Sequence, residues 1–191
     1  MKRIDFNCDM GELSGNDSAI INYISSCSIA CGGHIGDEKS IADTLLLAEQ
    51  YKKKIGAHPS YPDSVNFGRK SMVISPKAFQ KSIYSQLELF FSIVEKKGLS
   101  VHHIKPHGAL YHDLFANKEL ANLFIDVVKD FSQKIVIYCA PKSQLSAVAL
   151  EKGLRIQKEG FVDRRYGDDG KLLPRTHSLA LLKDEKEKKF L

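Results

Sequence analysis

Short apolar runs alternate with longer stretches of helical period along most of this chain. Residues 3–9 (RIDFNCD), 26–32 (SCSIACG), 54–58 (KIGAH), 101–105 (VHHIK), 134–140 (KIVIYCA) and 155–161 (RIQKEGF) read as strands. After the second of them, Ile41, Leu45, Ala48 and Tyr51 recur at spacings of three and four, with Asp37 as N-cap. Residues 75–98 form the longest helix, capped by Ser75, with Pro76 in the first turn and Gly98 at its end. Helices over 117–131 and 141–153 complete the series. Strands joined by helical crossovers predict an α/β fold with a largely parallel sheet, in a single domain spanning 1–191.

The polar residues fall unevenly on that pattern. The first strand runs into Asn7, Asp9 and Glu12, and the second into Gly32, Gly33, His34 and Asp37. The third ends in His58-Pro59-Ser60-Tyr61-Pro62-Asp63 and the fourth in Lys105-Pro106-His107-Gly108. The fifth ends in Pro141-Lys142 and the sixth in Asp163-Arg164-Arg165-Tyr166. All of these are carboxyl ends of parallel strands, where barrels and open α/β sheets place their active sites. The helix-to-strand returns are plain lysine and glycine turns, so one edge of the sheet carries the chemistry. The geometry suggests a (β/α) barrel-like fold with about six to seven parallel strands, too few for a closed barrel of eight. An open barrel exposes an edge, and a homodimer across that seam is expected.

Asp9, His34, His58 and His107 are the titratable side chains best placed to converge. Three imidazoles and a carboxylate suit a borderline divalent cation such as Zn²⁺ or Mn²⁺, with Asp37 and Asp63 orienting the rings. The same groups can work without metal, passing protons while Lys105 or Arg69 neutralises an oxyanion. No HExxH spacing forces the metal reading, which favours the metal-free one. Tyr61, Tyr111 and Tyr166 either line a substrate pocket or pack with their hydroxyls satisfied. The stretch CGGHIGD (31–37) is not a phosphate loop, since GxxxxGK[ST] occurs nowhere in the sequence. Cys31 lies within an apolar run and reads as an inert, buried thiol.

Composition narrows the class. With 191 residues, 43% hydrophobic and 27% charged, the chain can bury a core and is not a disordered segment. The net charge of +5 is scattered over helix ends and the mixed-sign run 183–189, which argues against a nucleic-acid partner. No apolar run reaches the ~20 residues of a membrane span and no signal peptide is visible. Four cysteines without CxxC pairing fit a reduced, cytoplasmic location.

Five motifs, DFNCDMGE (5–12), IACGGHIGD (29–37), IGAHPSYPD (55–63), FGRK (67–70) and IKPHGALYHD (104–113), stand in the order and spacing of the LamB/YcsF family, the 5-oxoprolinase A subunits, which the chain thus resembles. FVDRRYGDDGKLLPR (161–175) resembles that family's next block, so the likeness runs to about Arg175. It implies a barrel-like fold of the glycoside hydrolase/deacetylase type. It also implies a subunit of an ATP-dependent hydrolase, with partner subunits B and C, that opens the lactam of 5-oxo-L-proline (pyroglutamate) to L-glutamate. Carried over, the motifs make Asp9, His34, His58, Lys105 and His107 the catalytic set. Asn7, Glu12, Asp37, Tyr61, Asp63, Arg69, Tyr111 and Arg164 then bind substrate, with ATP as co-substrate. A divalent metal on Asp9, His34, His58 and His107 stays open, as does a metal-dependent deacetylase or amidase on the same scaffold. Two departures stand out. Gly33 replaces an aromatic residue, implying a missing pocket wall or packing group, and the final His-Gly-Asp block gives way to KDEKEKKFL. The second departure implies an incomplete barrel, a weakened or purely ligand-binding subunit, or a site completed by another chain.

Overall fold

The computed structural model describes residues 4–131 and 134–182; the charged run at 183–189 lies outside them. The chain groups into two compact units, one through Gln157 and one from Lys158 onward.

The first unit carries β1 (Asn7–Met10), β2 (Ser26–Ala30), β3 (Lys54–His58), β4 (Val101–Ile104), β5 (Val136–Cys139) and all but the last residue of β6 (Arg155–Lys158). Its helices are α1 (Asp17–Ile20), α2 (Glu38–Gln50), α3 (Pro76–Lys96), α4 (Gly108–Ala116), α5 (Lys118–Lys129) and α6 (Gln144–Glu151). The six strands neighbour one another in chain order, and β1 through β5 pair in parallel. A sheet that never reverses its order sends each right-handed crossover to the same face, which gives an open barrel-like fold rather than a doubly wound one. The expected architecture is therefore present, with six strands. Among the described residues no helix is long and apolar enough to cross a membrane.

Local signals set the helix starts. Asp37 accepts from Ser40 N in a capping box at α2, and Ser75, Asn117 and Ser143 cap α3, α5 and α6. Helix α6 is shorter than the 141–153 expected, because Ser143 takes the capping position. Helix α4 was not anticipated: Pro106-His107-Gly108 reads as a turn, yet the chain turns there into a helix with His107 as N-cap.

Each strand shows two chemically different faces. Cys27, Ile29, Ile55, Ala57, Ile104, Ile137 and Cys139 join Ile41, Leu45, Phe79, Ile83, Phe90 and Phe124 in one apolar core. The other face carries a row in which Asp9 aligns with Ser28, Ser28 with Gly56, and Gly56 with His103. His103 lies over Gly56, 3.0 Å from Ser28 Oγ and stacked on Tyr138 at 4.0 Å. The glycine is required there, because a Cβ at position 56 would stand 2.2 Å from His103 Nε2. The pairing of β3 with β4 shifts between Ile55 and Gly56, leaving His102 as the extra residue. That bulge turns His103, and two positions on Lys105, to the polar face.

The second unit is built on turns, with isolated antiparallel bridges Arg164–Leu181 and Tyr166–Leu172. Arg164 is buried within it and donates from Nη2 to Leu173 O at 2.6 Å and from Nε to Ala180 O at 3.4 Å.

Candidate functional site

Four strand ends deliver the polar cluster. β1 contributes Asp9 and, just beyond it, Glu12; the loop after β2 brings His34; β3 ends at His58; and the turn from β4 into α4 supplies Lys105 and His107. His34, His58, Lys105 and His107 are buried, whereas about a third of the Asp9 side chain stays accessible (33%). The rings of His34 and His107 stack in parallel at 3.7 Å, and His58 meets His107 edge to face at 4.9 Å.

One nitrogen of each ring is fixed as a donor. His58 Nδ1 lies 2.7 Å from Lys105 O and His107 Nε2 lies 2.9 Å from Phe67 O; carbonyls only accept, so both nitrogens carry hydrogen. Ser60 Oγ donates to Tyr61 O at 2.8 Å, so it accepts from His34 Nδ1 at 3.0 Å. The other three nitrogens face inward. His34 Nε2 is 3.2 Å from Glu12 Oε1, and His107 Nδ1 is 3.4 Å from that same oxygen and 3.0 Å from His58 Nε2. His58 Nε2 in turn is 3.3 Å from Asp9 Oδ2. Asp9 Oδ1 takes a 3.0 Å ion pair from Lys105 Nζ, which also donates to Asn7 Oδ1 at 2.8 Å.

Charge follows from this packing. Burial opposes ionisation of Asp9, but the neighbouring His58 and Lys105 outweigh it and hold the carboxyl well below the usual range. Burial lowers His107 to about 2, reinforced by His58 and His34. It also lowers His34, against the opposing pull of the Glu12 hydrogen bond. The resting site therefore combines ionised Asp9 with neutral His34 and His107.

The loop after β3 covers these rings. Phe67 and Gly68 adopt φ of +54° and +62°, and a Cβ on Gly68 would lie 3.0 Å from His34 Cβ and 3.1 Å from His107 Cδ2. Strain at the non-glycine Phe67 accompanies the carbonyl that fixes His107. Arg69 is exposed, with its guanidinium 4.9 Å above the Phe67 ring, at the rim of the cluster.

Position 33 corrects an expectation. The space beside Gly33 is filled, since a Cβ there would come within 2.3 Å of Gln86 Oε1 and 2.4 Å of Ser60 Oγ. Gln86 reaches across from α3, accepting from Ser60 N and donating to Ser60 O, both at 2.9 Å. It thereby clamps the serine that orients His34. Gly33 marks a close approach, and no pocket wall is missing at that point.

Other expected site residues serve elsewhere. Asp37 is exposed and caps α2, so Ser60 and Glu12, not Asp37, orient His34. Asp63 accepts from Asn66 N and Nδ2, closing its own loop rather than orienting an imidazole. The buried Tyr61 donates to Asp113 Oδ2 at 2.8 Å, so its hydroxyl is engaged away from the cluster. Tyr111 is buried on α4, and Arg164 holds carbonyls within the second unit. Among the described residues the group whose ligand atoms come together is Asp9, Glu12, His58 and His107; Glu12 takes the place expected for His34. Ser60 and Gln86 were missed, although Gln86 stood out as an amide between Ile83 and Phe90 on the apolar stripe of α3.

The cysteines behave as core. Burial pushes Cys27 and Cys31 up to about 12, and Cys31 Sγ donates to Ile29 O while accepting from His58 N. Folded protein treated with iodoacetamide near neutral pH should leave Cys27 and Cys31 unmodified, and denaturation should expose both; labelling of Cys31 in the folded state, read by peptide mass spectrometry, would contradict an inert thiol.

The LamB/YcsF family model matches residues 4–189. The 5-oxoprolinase A-type subunit of Pyrococcus furiosus is 36% identical over 97% of this chain and 74% of its own length. That of Symbiobacterium thermophilum is 39% identical over 95% of this chain and 72% of its own. The crystal structure of a lactam utilization protein from Thermus thermophilus superposes with a TM-score of 0.91 at 33% identity, covering 98% of this chain and 78% of that one.

Proposed function

Because the chain belongs to the LamB/YcsF family, we propose that it is the A-type subunit of a 5-oxoprolinase, a hydrolase that opens the cyclic amide of 5-oxo-L-proline to give L-glutamate. The finer reading is that the opening is driven by ATP and requires partner subunits of types B and C. The observation that carries the reading at the site is the convergence of Asp9, Glu12, His34, His58 and His107 at one sheet edge.

A five-membered lactam is a stabilised amide whose ring closure is favoured, so direct hydrolysis is slow. In the ATP-driven reaction the lactam oxygen accepts the γ-phosphoryl group as ADP leaves, making the carbonyl carbon a good electrophile. Water adds to that carbon, the C–N bond breaks and its electron pair is captured as N–H; a second water then releases phosphate. Glu12 with the inward nitrogens of His34 and His107 provides acceptors for the proton of the attacking water. The Asp9–His58 pair is placed to return a proton to the departing nitrogen. Lys105 keeps Asp9 ionised and oriented, and Arg69 stands at the rim as a cation for the substrate carboxylate.

Phosphate release from ATP, measured with and without 5-oxo-L-proline, tests this. Lactam-dependent release is expected when the chain is mixed with B-type and C-type partners and absent from the chain alone. Full activity of the isolated chain, or none in the mixture, would contradict the reading.

A further inference from the structure

Ligand atoms of two imidazoles and two carboxylates converge on the inward side of the cluster. His58 Nδ1, His107 Nε2 and His34 Nδ1 each donate to an oxygen outside the cluster, which turns the second nitrogen of every ring inward, toward the carboxylates of Asp9 and Glu12 and the neighbouring ring. The inward nitrogens of His58 and His107 stand 3.0 Å apart, with Asp9 Oδ2 3.3 Å from the first and Glu12 Oε1 3.4 Å from the second. Lys105 pairs with Asp9 Oδ1, whereas the other oxygen of that carboxylate, Oδ2, faces His58.

We propose that Asp9, Glu12, His58 and His107 form a seat for one divalent transition-metal cation, which when bound would hold the attacking water in place of direct proton transfer by these four groups, with His34 adjoining it. One donor atom from each of the four lies within 4.8 Å of all the others. The close contacts, 3.0 Å for His58 to His107, 3.3 Å for His58 to Asp9 and 3.4 Å for His107 to Glu12, are informative. Ligands about 2.05 Å from a tetrahedral Zn²⁺ stand about 3.3 Å from each other, so these spacings match edges of a coordination polyhedron. Two imidazoles with two carboxylates form a borderline donor set, suited to Zn²⁺ or Mn²⁺ and poorly suited to Mg²⁺, which prefers oxygen.

The surroundings agree with that role. Metal-bound imidazoles characteristically donate their second nitrogen to a carbonyl, carboxylate or water, which fixes tautomer and ring plane. Here Lys105 O and Phe67 O do so for His58 and His107. Gly68 lets the covering loop close on His34 and His107 without a side chain. The seat rests on this geometry of converging ligand atoms and outward carbonyl partners, independent of which amide the enzyme opens.

The test uses the full chain, stripped with a chelator and titrated separately with Zn²⁺, Mn²⁺ and Mg²⁺ by calorimetry. One saturable site for Zn²⁺ or Mn²⁺ is expected, tighter than for Mg²⁺, with a rise in the unfolding temperature on loading. His58→Ala and His107→Ala should each weaken binding at least ~10-fold, while Asp43→Asn on the exposed face of α2 should not. Because the alanine variants could fail to fold, Co²⁺ loading of the unmutated chain gives a second readout: visible bands of a nitrogen- and oxygen-ligated ion are expected. The proposal is overturned by the absence of saturable Zn²⁺ or Mn²⁺ binding, by preference for Mg²⁺, or by binding that folded His58 and His107 variants leave unchanged. Lactam-dependent turnover is not needed for any of these outcomes, so failure of the cation seat and failure of the lactam reading are told apart.

Discussion

Asp9→Asn is expected to lower lactam-dependent turnover of the assembled enzyme at least ~100-fold, with His107→Ala falling as far. Asparagine keeps the shape of the side chain but removes the charge that Lys105 Nζ and His58 Nε2 face at 3.0 and 3.3 Å. Breaking a fully buried ion pair costs roughly 3–5 kcal/mol. Because a third of Asp9 remains accessible, solvent screens the loss, and about 1–2 kcal/mol is the better expectation. The two effects separate by measurement: thermal unfolding reports the modest destabilisation, and turnover at a temperature where both proteins are folded reports the chemistry. His107→Ala serves as the partner experiment because it removes a neutral acceptor and leaves the Asp9–Lys105 pair in place. Near-normal turnover in both variants would remove the cluster from the reaction.

The largest effect on stability should come from Gly56→Ala. The added methyl would occupy space now taken by the His103 ring, with Nε2 at 2.2 Å and Cε1 at 2.3 Å. His103 cannot swing away cheaply, since it is fully buried, bonded to Ser28 Oγ and stacked on Tyr138. Overpacking of this kind costs about 3 kcal/mol, which for a chain of this size lowers the unfolding temperature by about 6–12 °C. Replacing His103 by alanine in the same chain should recover part of the loss, because the clash then has no second partner. An unchanged unfolding temperature for Gly56→Ala would show that the two residues do not compete for one space.

Some of this was legible from the residues alone. The caps at Asp37 and Ser75 fixed the starts of α2 and α3, because an N-cap needs only an oxygen acceptor three residues from its N–H. The order of strands and helices followed from hydrophobic period, and the parallel direction followed from the crossovers. Those same signals placed Asp9, His34, His58 and His107 at one edge, where the structure brings them together.

Other features were decided only in three dimensions. Asp37 and Asp63 look as much like ligand-orienting carboxylates in sequence as Glu12 does, yet both satisfy nearby backbone N–H groups while Glu12 turns to His34 and His107. The bulge at His102 sets which face receives Lys105, and a shift of pairing by one residue has no local signature in VHHIK. Most of all, the proton-bearing nitrogen of each imidazole is chosen by an oxygen remote along the chain: Lys105 O for His58, Phe67 O for His107 and Ser60 Oγ for His34. Sequence determined which residues reach the strand ends, because hydrophobic period and capping act over three or four neighbours. Tertiary structure determined which way their lone pairs point, because those hydrogen bonds form only after distant strands have packed side by side.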